Sequence, residues 1–425
     1  MNNLTHSIQM EWREVSLNDL VDEGAPICYG IVLPGLNHED GVPVVKVKNI
    51  FKGTVETQGL VKTSPEIAAQ YRRSSLNGGD ILLSIRGTVG RVGIVPGELT
   101  GANITQDTAR IRISCRDTRD YVFQLLQSEL LQKQIRKHVV GQAVKGINIR
   151  DVKRIKLPFP DKTEAQHFIA EIFANANTAI EKTELLVAAK EKHFLWFSKK
   201  LLFGDATDTA NTAKNTKWFS VPDHWKVVNI GKIAKEVSAF NNSAENIPVL
   251  SCTKYDGLVD SLTYFNKQVF SLDTSTYKVV TKGQFAYATN HIEEGSIGYQ
   301  DVYDKGLVSP MYTVFETNEN VDDSYLYKVL KSVVYLHIFR ANTSSSVDRR
   351  GSLRWKEFAK LPIPLPPIEE QKQIAAILTT ARQEIDLLKK QAEAYRRQKR
   401  GLMQKLLTGE WRVKLGGDEY GLGTD

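Results

Sequence analysis

The sequence predicts an α+β protein built twice: two globular domains joined by two long antiparallel helices that form a coiled coil, with pseudo-two-fold symmetry. The first observation is a duplication. Residues 166–204 align without a gap onto 371–409, a shift of 205, and Gln166, Ile169, Ala170, Ile172, Ala176, Ile180, Lys200, Leu201, Leu202 and Gly204 recur as identities. That period is far too long for a solenoid repeat. The second observation is an apolar stripe at helical spacing in both repeated segments. The third is that each stripe follows a stretch of short β-branched runs punctuated by glycine, proline and asparagine.

Taken in order, the first domain spans 1–158 and opens near Trp12-Arg-Glu-Val-Ser-Leu. Runs at 42–50, 81–85 and 109–113 read as strands of a mixed sheet, and 121–139 reads as a helix. Leu157-Pro-Phe-Pro160 is punctuation that suits the start of a helix, the first long one, within 159–204. Its apolar residues Ile169, Ile172, Ala176, Ile180, Leu186, Phe194, Phe197 and Leu201 are mostly spaced by sums of three and four, as a coiled-coil seam requires. Residues 205–217 are small, polar and non-periodic, and read as a linker.

The second domain, 218–364, repeats this order. Trp225-Lys-Val-Val-Asn-Ile echoes the opening of the first, and Gly283-Gln-Phe-Ala-Tyr-Ala matches Gly79-Asp-Ile-Leu-Leu-Ser at a shift of 204. Residues 325–341 supply the matching helix. Ser352-Leu-Arg, leading to Leu361-Pro362, corresponds to Asn148-Ile-Arg, leading to Leu157-Pro158. The run Leu361-Pro-Ile-Pro-Leu-Pro-Pro367 introduces the second long helix, 365–414, with Ile374, Ile377, Ala381, Ile385, Leu388, Ala392, Tyr395, Leu402 and Leu406 on its stripe; 415–425 is a tail. Roughly 38 residues at about 1.5 Å each give a helix of about 57 Å, longer than one domain needs. Each seam requires a partner of equal length, and its own copy supplies one. The competing arrangement packs each helix on its parent domain.

At 425 residues, with 41% hydrophobic and 25% charged residues, the chain has room for several cores and an ordinary globular composition. The net charge of +7 favours a polyanionic partner. Three widely spaced cysteines, Cys28, Cys115 and Cys252, fit neither a disulfide framework nor a cysteine zinc site, and point to a reducing, cytoplasmic setting. Residues 1–15 lack a signal-peptide apolar core and no 18-residue apolar run occurs, so secretion and a membrane partner are not expected.

Catalytic signatures are missing from the sequence. There is no G-x-x-x-x-G-K-[ST] phosphate loop, no G-x-G-x-x-G fingerprint, no nucleophile elbow and no H-E-x-x-H; Pro366-Pro367 lacks the flanking residues of an amino-methyltransferase motif. No catalytic residue and no metal site is expected, and no cofactor bound by this chain.

Several loops carry the chemistry of nucleic-acid recognition. Ser84-Ile-Arg86-Gly-Thr88-Val-Gly90-Arg91 offers guanidinium groups able to bridge guanine O6/N7 or a phosphate, beside a hydroxyl. Gly141-Gln142-Ala-Val-Lys145-Gly146-Ile-Asn148 offers an amide suited to adenine and an ammonium. Thr105 and Gln106 form a third set, and Lys46 and Lys48 are candidates for phosphate. In the second domain the corresponding residues are Thr289, Asn290 and His291, then Met311 and Tyr312, then Ser345, Arg349 and Arg350. Different loops on a repeated scaffold are what two readers of different sequences require. The basic stretch Arg396, Arg397, Lys399, Arg400 and Lys405 is either a solvated helix face or a phosphate or docking surface.

The run Leu361-Pro-Ile-Pro-Leu-Pro-Pro-Ile-Glu-Glu-Gln-Lys-Gln-Ile-Ala-Ala-Ile-Leu378, with Arg397-Gln-Lys-Arg-Gly-Leu-Met-Gln-Lys-Leu-Leu-Thr-Gly409, resembles the C-terminal conserved region of the HsdS specificity subunits of type I restriction-modification systems. Ser84-Ile-Arg-Gly-Thr-Val-Gly90, Gln106 and Val144-Lys-Gly-Ile-Asn148 resemble features of that family's target recognition domains. The first copy departs from the pattern, with Asp161-Lys-Thr-Glu-Ala-Gln166 in place of the double proline and paired glutamates. The resemblance implies a non-catalytic subunit that binds double-stranded DNA. Each domain reads one half of an asymmetric bipartite site, and the helices serve as spacer ruler and docking surface. It implies two modification subunits using S-adenosylmethionine to methylate adenine N6, and restriction subunits using ATP and Mg. The rival reading is a non-catalytic coiled-coil adaptor whose duplicated domains bind proteins.

Overall fold

The structure is a computed structural model, and it describes residues 12–142, 145–204, 213–241, 247–343, 352–407, 411–414 and 421–423. The chain forms two compact units, the first comprising 1–184 with 390–425 and the second 185–389. Each unit thus holds one domain, the nearer half of the helix that leaves it, and half of the other long helix.

In unit 1 a six-stranded sheet runs Cys28–Tyr29, Thr108–Ile111, Ile81–Ser84, Val92–Ile94, Gly53–Val55, Ile50–Phe51 in spatial order. The neighbours are antiparallel except Gly53–Val55 beside Val92–Ile94. The central strand Ile81–Ser84 is buried throughout, because it has a core on both faces. Its odd residues Ile81 and Leu83 join a cluster with Tyr121, Leu125 and Ile135, while Leu82 joins another with Val45, Ile50 and Val95. That alternation is the period of two expected of a strand. A three-stranded sheet, Val61–Thr63, Val42–Val45 and Asn103–Ile104, lies beyond the second cluster.

Unit 2 repeats the plan. Its sheet runs Ala234–Val237, Tyr312–Thr317, Phe285–Ala288, Ile297–Tyr299, all antiparallel. Phe285 and Tyr287 face one cluster with Tyr325, Val329 and Phe339, and Ala286 faces another with Leu250, Val280 and Val314. The helix expected at 121–139 is two helices, Arg116–Leu126 and Glu129–Lys137, and that at 325–341 is likewise Asp323–Leu330 and Val333–Asn342. Ser128 and Ser332 make these breaks, each accepting an N–H from three residues on as an N-cap.

The end of each domain is stitched to its beginning. Trp12–Ser16 pairs antiparallel with Lys156–Pro160, and Lys226–Asn229 with Pro362–Leu365. Tyr121 Oη donates to the Pro158 carbonyl at 2.7 Å and Tyr325 Oη to that of Pro364 at 3.1 Å. These bonds correct the sequence alignment at this point: Pro158 corresponds to Pro364 rather than to Pro362. Unit 2 is two residues longer between Ser332 and Leu353 than unit 1 is between Ser128 and Ile147, an insertion that local sequence identity had hidden.

The long helices are Thr163–Phe203 and Ile368–Leu407. Gln166 and Gln371, 2% and 0% exposed, fasten their first turns. Gln166 Nε2 donates to the Pro160 carbonyl at 2.9 Å and Gln371 Nε2 to that of Pro366 at 2.8 Å. The first helix therefore starts in the same manner without the double proline. Ala213–Asn215, within the expected linker, pairs with Ser220–Pro222.

Within each unit the helix halves run antiparallel. In unit 1 Ile169 and Phe173 share a core with Leu406, Asn177 meets Lys399, and Glu184 meets Arg396. In unit 2 Glu191 meets Lys389, Lys190 meets Glu384, and Leu202 shares a core with Ile374 and Leu378. Ile169 and Phe173 also pack on their own domain, so pairing and parental packing coexist. Two predicted seam residues lie off the seam: Leu186 is 44% exposed and Ile377 45%. A strict heptad through Ile169, Phe173, Ala176 and Ile180 continues to Thr183 and Val187, and one through Ile385 includes Leu378. Loose sums of three and four had let the stripe slip by one residue.

Candidate nucleic-acid interface

The first domain brings three of its predicted loops together by backbone hydrogen bonds. Ile85 N–H donates to the Asp107 carbonyl at 2.8 Å, Ile147 N–H to that of Ile85 at 2.9 Å, and Gly87 N–H to that of Lys145 at 2.9 Å. Val140 and Gly146 exchange a further pair, closing the loop that carries Gln142 and Lys145. Gly87 and Gly90, at φ of 70° and 95°, permit the turn that lifts Arg86 and Thr88 outward. Ser84 fixes it from beneath, its hydroxyl donating to the Thr88 carbonyl at 2.6 Å and accepting from Arg91 N–H at 2.8 Å.

Arg86 Nη1 donates to Gln106 Oε1 at 3.0 Å, so a guanidinium and an amide stand side by side on an anchored frame. Lys48, Arg86, Thr88, Gln142, Lys145 and Asn148 are exposed, and Lys46 and Gln106 half-buried. Asn148 also begins the helix Ile149–Lys153, its carbonyl accepting from Asp151 and Val152. Two predicted contacts are committed elsewhere. Thr105 is 6% exposed with its hydroxyl turned into the protein. Arg91 Nη1 donates to the carbonyls of Val47 and Ile50, both at 3.3 Å, and so braces the neighbouring turn.

In the second domain the same frame carries other groups. Leu353 N–H donates to the Thr289 carbonyl at 2.9 Å, as Ile147 does to Ile85, and Thr289 Oγ1 donates to the Met311 carbonyl at 3.1 Å. Asn290 stands where Arg86 stands in the first domain and is half-buried. His291 is exposed, with Nδ1 3.6 Å from Glu294 Oε1. Met311 is 62% exposed, whereas Tyr312 turns inward and its Oη accepts from Cys252 N–H at 3.4 Å. Burial pushes the Tyr312 hydroxyl and the Cys252 thiol up, the latter to about 12. Ser345, Arg349 and Arg350 lie outside the described residues. Sequence reasoning missed Lys331, whose Nζ donates to the carbonyls of Lys254 and Gly295 at 2.7 and 3.0 Å, tying a neighbouring hairpin to the His291 loop. Desolvation lowers its pKa. A lone lysine between two helices gives no sequence signal of such a role.

Guanidinium, amide and hydroxyl groups held on rigid turns are the donors and acceptors that discriminate base edges. Residues 10–189 and 222–394 both match the family described as the type I restriction modification DNA specificity domain. The chain belongs to that family. It is 34% identical over 187 residues to the type I restriction enzyme EcoBI specificity subunit of Escherichia coli, a match covering 43% of this chain and 39% of that one. The chain thus spans well under half the length of this relative. A protein of Methanocaldococcus jannaschii assigned as the type I restriction enzyme MjaX specificity subunit is 25% identical over 437 aligned positions, covering 96% of this chain and 95% of its own. Among solved structures, the S subunit of a type I restriction-modification system from M. genitalium has a TM-score of 0.56 at 16% identity, covering 95% of this chain and 98% of its own. The HsdS subunit from Thermoanaerobacter tengcongensis has a TM-score of 0.52 at 16% identity, covering 94% and 97%. These two likenesses establish the fold. No helix among the described residues is long and apolar enough to cross a membrane.

Proposed function

We propose that this specificity subunit reads an asymmetric bipartite site in double-stranded DNA, one half with each domain. The helix pair sets the unread spacer and docks two modification subunits. In this reading the chain is non-catalytic and binds no cofactor of its own. Adenine methylation from S-adenosylmethionine belongs to the modification subunits, which flip the base, and cleavage driven by ATP and Mg to restriction subunits. The complex works in the cytoplasm.

The observation that carries this is the matched frame with unmatched donors: Arg86 beside Gln106 in one domain, Asn290 beside Thr289 in the other. Arg86→Ala is expected to cost about 1–3 kcal/mol at the half-site read by the first domain and to leave preference at the other half intact. Mapping adenine methylation in cells carrying wild type or the variant reads both halves at once. Equal loss at both halves would overturn separate readers. Inserting four residues into each long helix adds about 6 Å and is expected to lengthen the preferred spacer; an unchanged spacer would dispose of the ruler. Binding that is flat across sequences would favour the protein-binding adaptor instead.

A further inference from the structure

Each domain carries an exposed aromatic ring, capped by a lysine, at the tip of a hairpin that the base-reading assignment leaves unused. In unit 1 the hairpin Ile50–Phe51 with Gly53–Val55 turns through Lys52 and Gly53, at φ of 47° and 84°. Phe51 is 57% exposed, and Lys52 Nζ lies 5.7 Å from its ring centre. In unit 2 the hairpin Leu250–Thr253 with Gly257–Asp260 turns through Lys254, Tyr255 and Asp256. Tyr255 is 77% exposed, and Lys254 Nζ lies 5.1 Å from its ring centre.

The two tips match although their turns differ by a residue. Phe51 and Tyr255, and Gly53 and Gly257, are separated by the same 204 positions that relate Arg86 to Asn290. Both glycines lie against an aromatic residue of the covering helix, Phe123 in one unit and Tyr327 in the other. Each hairpin is also held by a cation, Arg91 of the first domain's candidate loop on Val47 and Ile50, and Lys331, from between two helices, on Lys254 and Gly295. Rings this exposed contribute little to either core, yet a ring with an ammonium beside it recurs at the matched position, the lysine following Phe51 in one unit and preceding Tyr255 in the other.

We propose that these tips are sequence-independent contacts to duplex DNA. The lysine takes a phosphate and the ring packs against the adjacent sugar and base edge. A polyanion is the partner that suits an ammonium over a ring, next to Lys46, Lys48 and Arg91 in one unit and Lys331 in the other. In unit 1 Lys52 Nζ also reaches Glu184 Oε2 at 3.3 Å, an exposed pair that a phosphate can displace. The proposal rests on the DNA-binding reading but not on which bases are read.

The test uses the full-length chain with Phe51→Ala, Tyr255→Ala and both together, titrated against a random-sequence duplex and against the duplex identified by methylation mapping. Each substitution is expected to weaken both affinities by roughly fivefold or more, with their ratio unchanged. Lys52→Gln and Lys254→Gln, which keep both rings, are each expected to lower the salt slope by about 1. Unchanged affinity on both duplexes overturns the proposal, and so does a collapse of the ratio, which would make the tips base readers. Intact DNA binding with lost recovery of modification subunits would make them a protein-docking surface. A wild-type chain without sequence preference would sink base reading alone, because the random duplex still reads the tips.

Discussion

In unit 1 Lys399 reaches across the seam to Asn177 Oδ1 at 2.6 Å. In unit 2 the residues 205 positions away are Phe194 and Arg382, and there the guanidinium lies 6.0 Å from the ring centre. The ion pairs are exchanged in the same way. Glu184 of the first helix meets Arg396 of the second in unit 1, and Lys389 of the second meets Glu191 of the first in unit 2. Beside Tyr395 and Lys399, unit 1 leaves a cavity of about 260 Å³ lined by Ala176 and Ala179; at the matching place in unit 2, Lys190, His193 and Phe197 leave about 40 Å³. One heptad frame thus tolerates two solutions, a polar, under-filled one and an aromatic, filled one. What both share is a cation with a partner at the matched place, half-buried Lys399 on Asn177 and exposed Arg382 over Phe194 and beside Asp386.

The contrast can be broken most forcefully by moving unit 1's chemistry into unit 2. Phe194→Lys removes the partly buried ring beneath Arg382 and is expected to cost about 2 kcal/mol in urea unfolding; a loss below about 1 kcal/mol would mean the ring is not part of the packing. The cavities give an effect of opposite sign at matched positions. Ala176→Leu has room and is expected to add about 1 kcal/mol, whereas Ala381→Leu has none and is expected to cost about 1–2 kcal/mol. Equal effects would show that the two cavities do not differ in solution.

Lys399 sharpens the comparison through pH. Desolvation lowers its pKa from the ordinary 10.5, so between the lowered value and 10.5 the unfolded chain holds the extra proton. Stability then rises with pH across that window. The stability of wild type relative to Lys399→Met is therefore expected to rise on going from neutral pH to about pH 10; a relative fall would contradict burial of the ammonium. The smallest effects belong to the exposed pairs. Glu184→Gln and Glu191→Gln are each expected to cost less than about 1 kcal/mol, and less again in high salt. A loss several times larger in either would mark that pair as buried in solution.

The duplication, the helices and the loops that carry Arg86 and Gln106 were legible because each rests on local pattern: identity at fixed offset, heptad spacing, glycine-backed basic turns. Leu186 and Ile377 were misplaced because a stripe of threes and fours fits two neighbouring phases, and only packing selects one. Thr105 and Arg91 lie in the predicted loops, but which side chains face outward depends on the strand pleat and on carbonyls contributed by residues 47–50. The breaks at Ser128 and Ser332 were hidden because apolar residues continue across them. The two-residue offset that arises between Ser332 and Leu353 had no sequence signature, since Leu-Pro occurs at both registers.

The strand that opens each domain lies beside the strand that closes it, with Trp12 opposite Pro160 and Lys226 opposite Leu365. Chain entry and chain exit are therefore neighbours, and each domain is a loop drawn shut at its neck. A segment whose entry and exit lie side by side can be exchanged for another of the same neck, provided that its core still packs on the helix residues it meets, Ile169, Phe173 and Leu406 in unit 1 and Leu202, Ile374 and Leu378 in unit 2. In the proposed reading each domain is then an exchangeable part, so a change in the sequence recognised by one needs no change in the other.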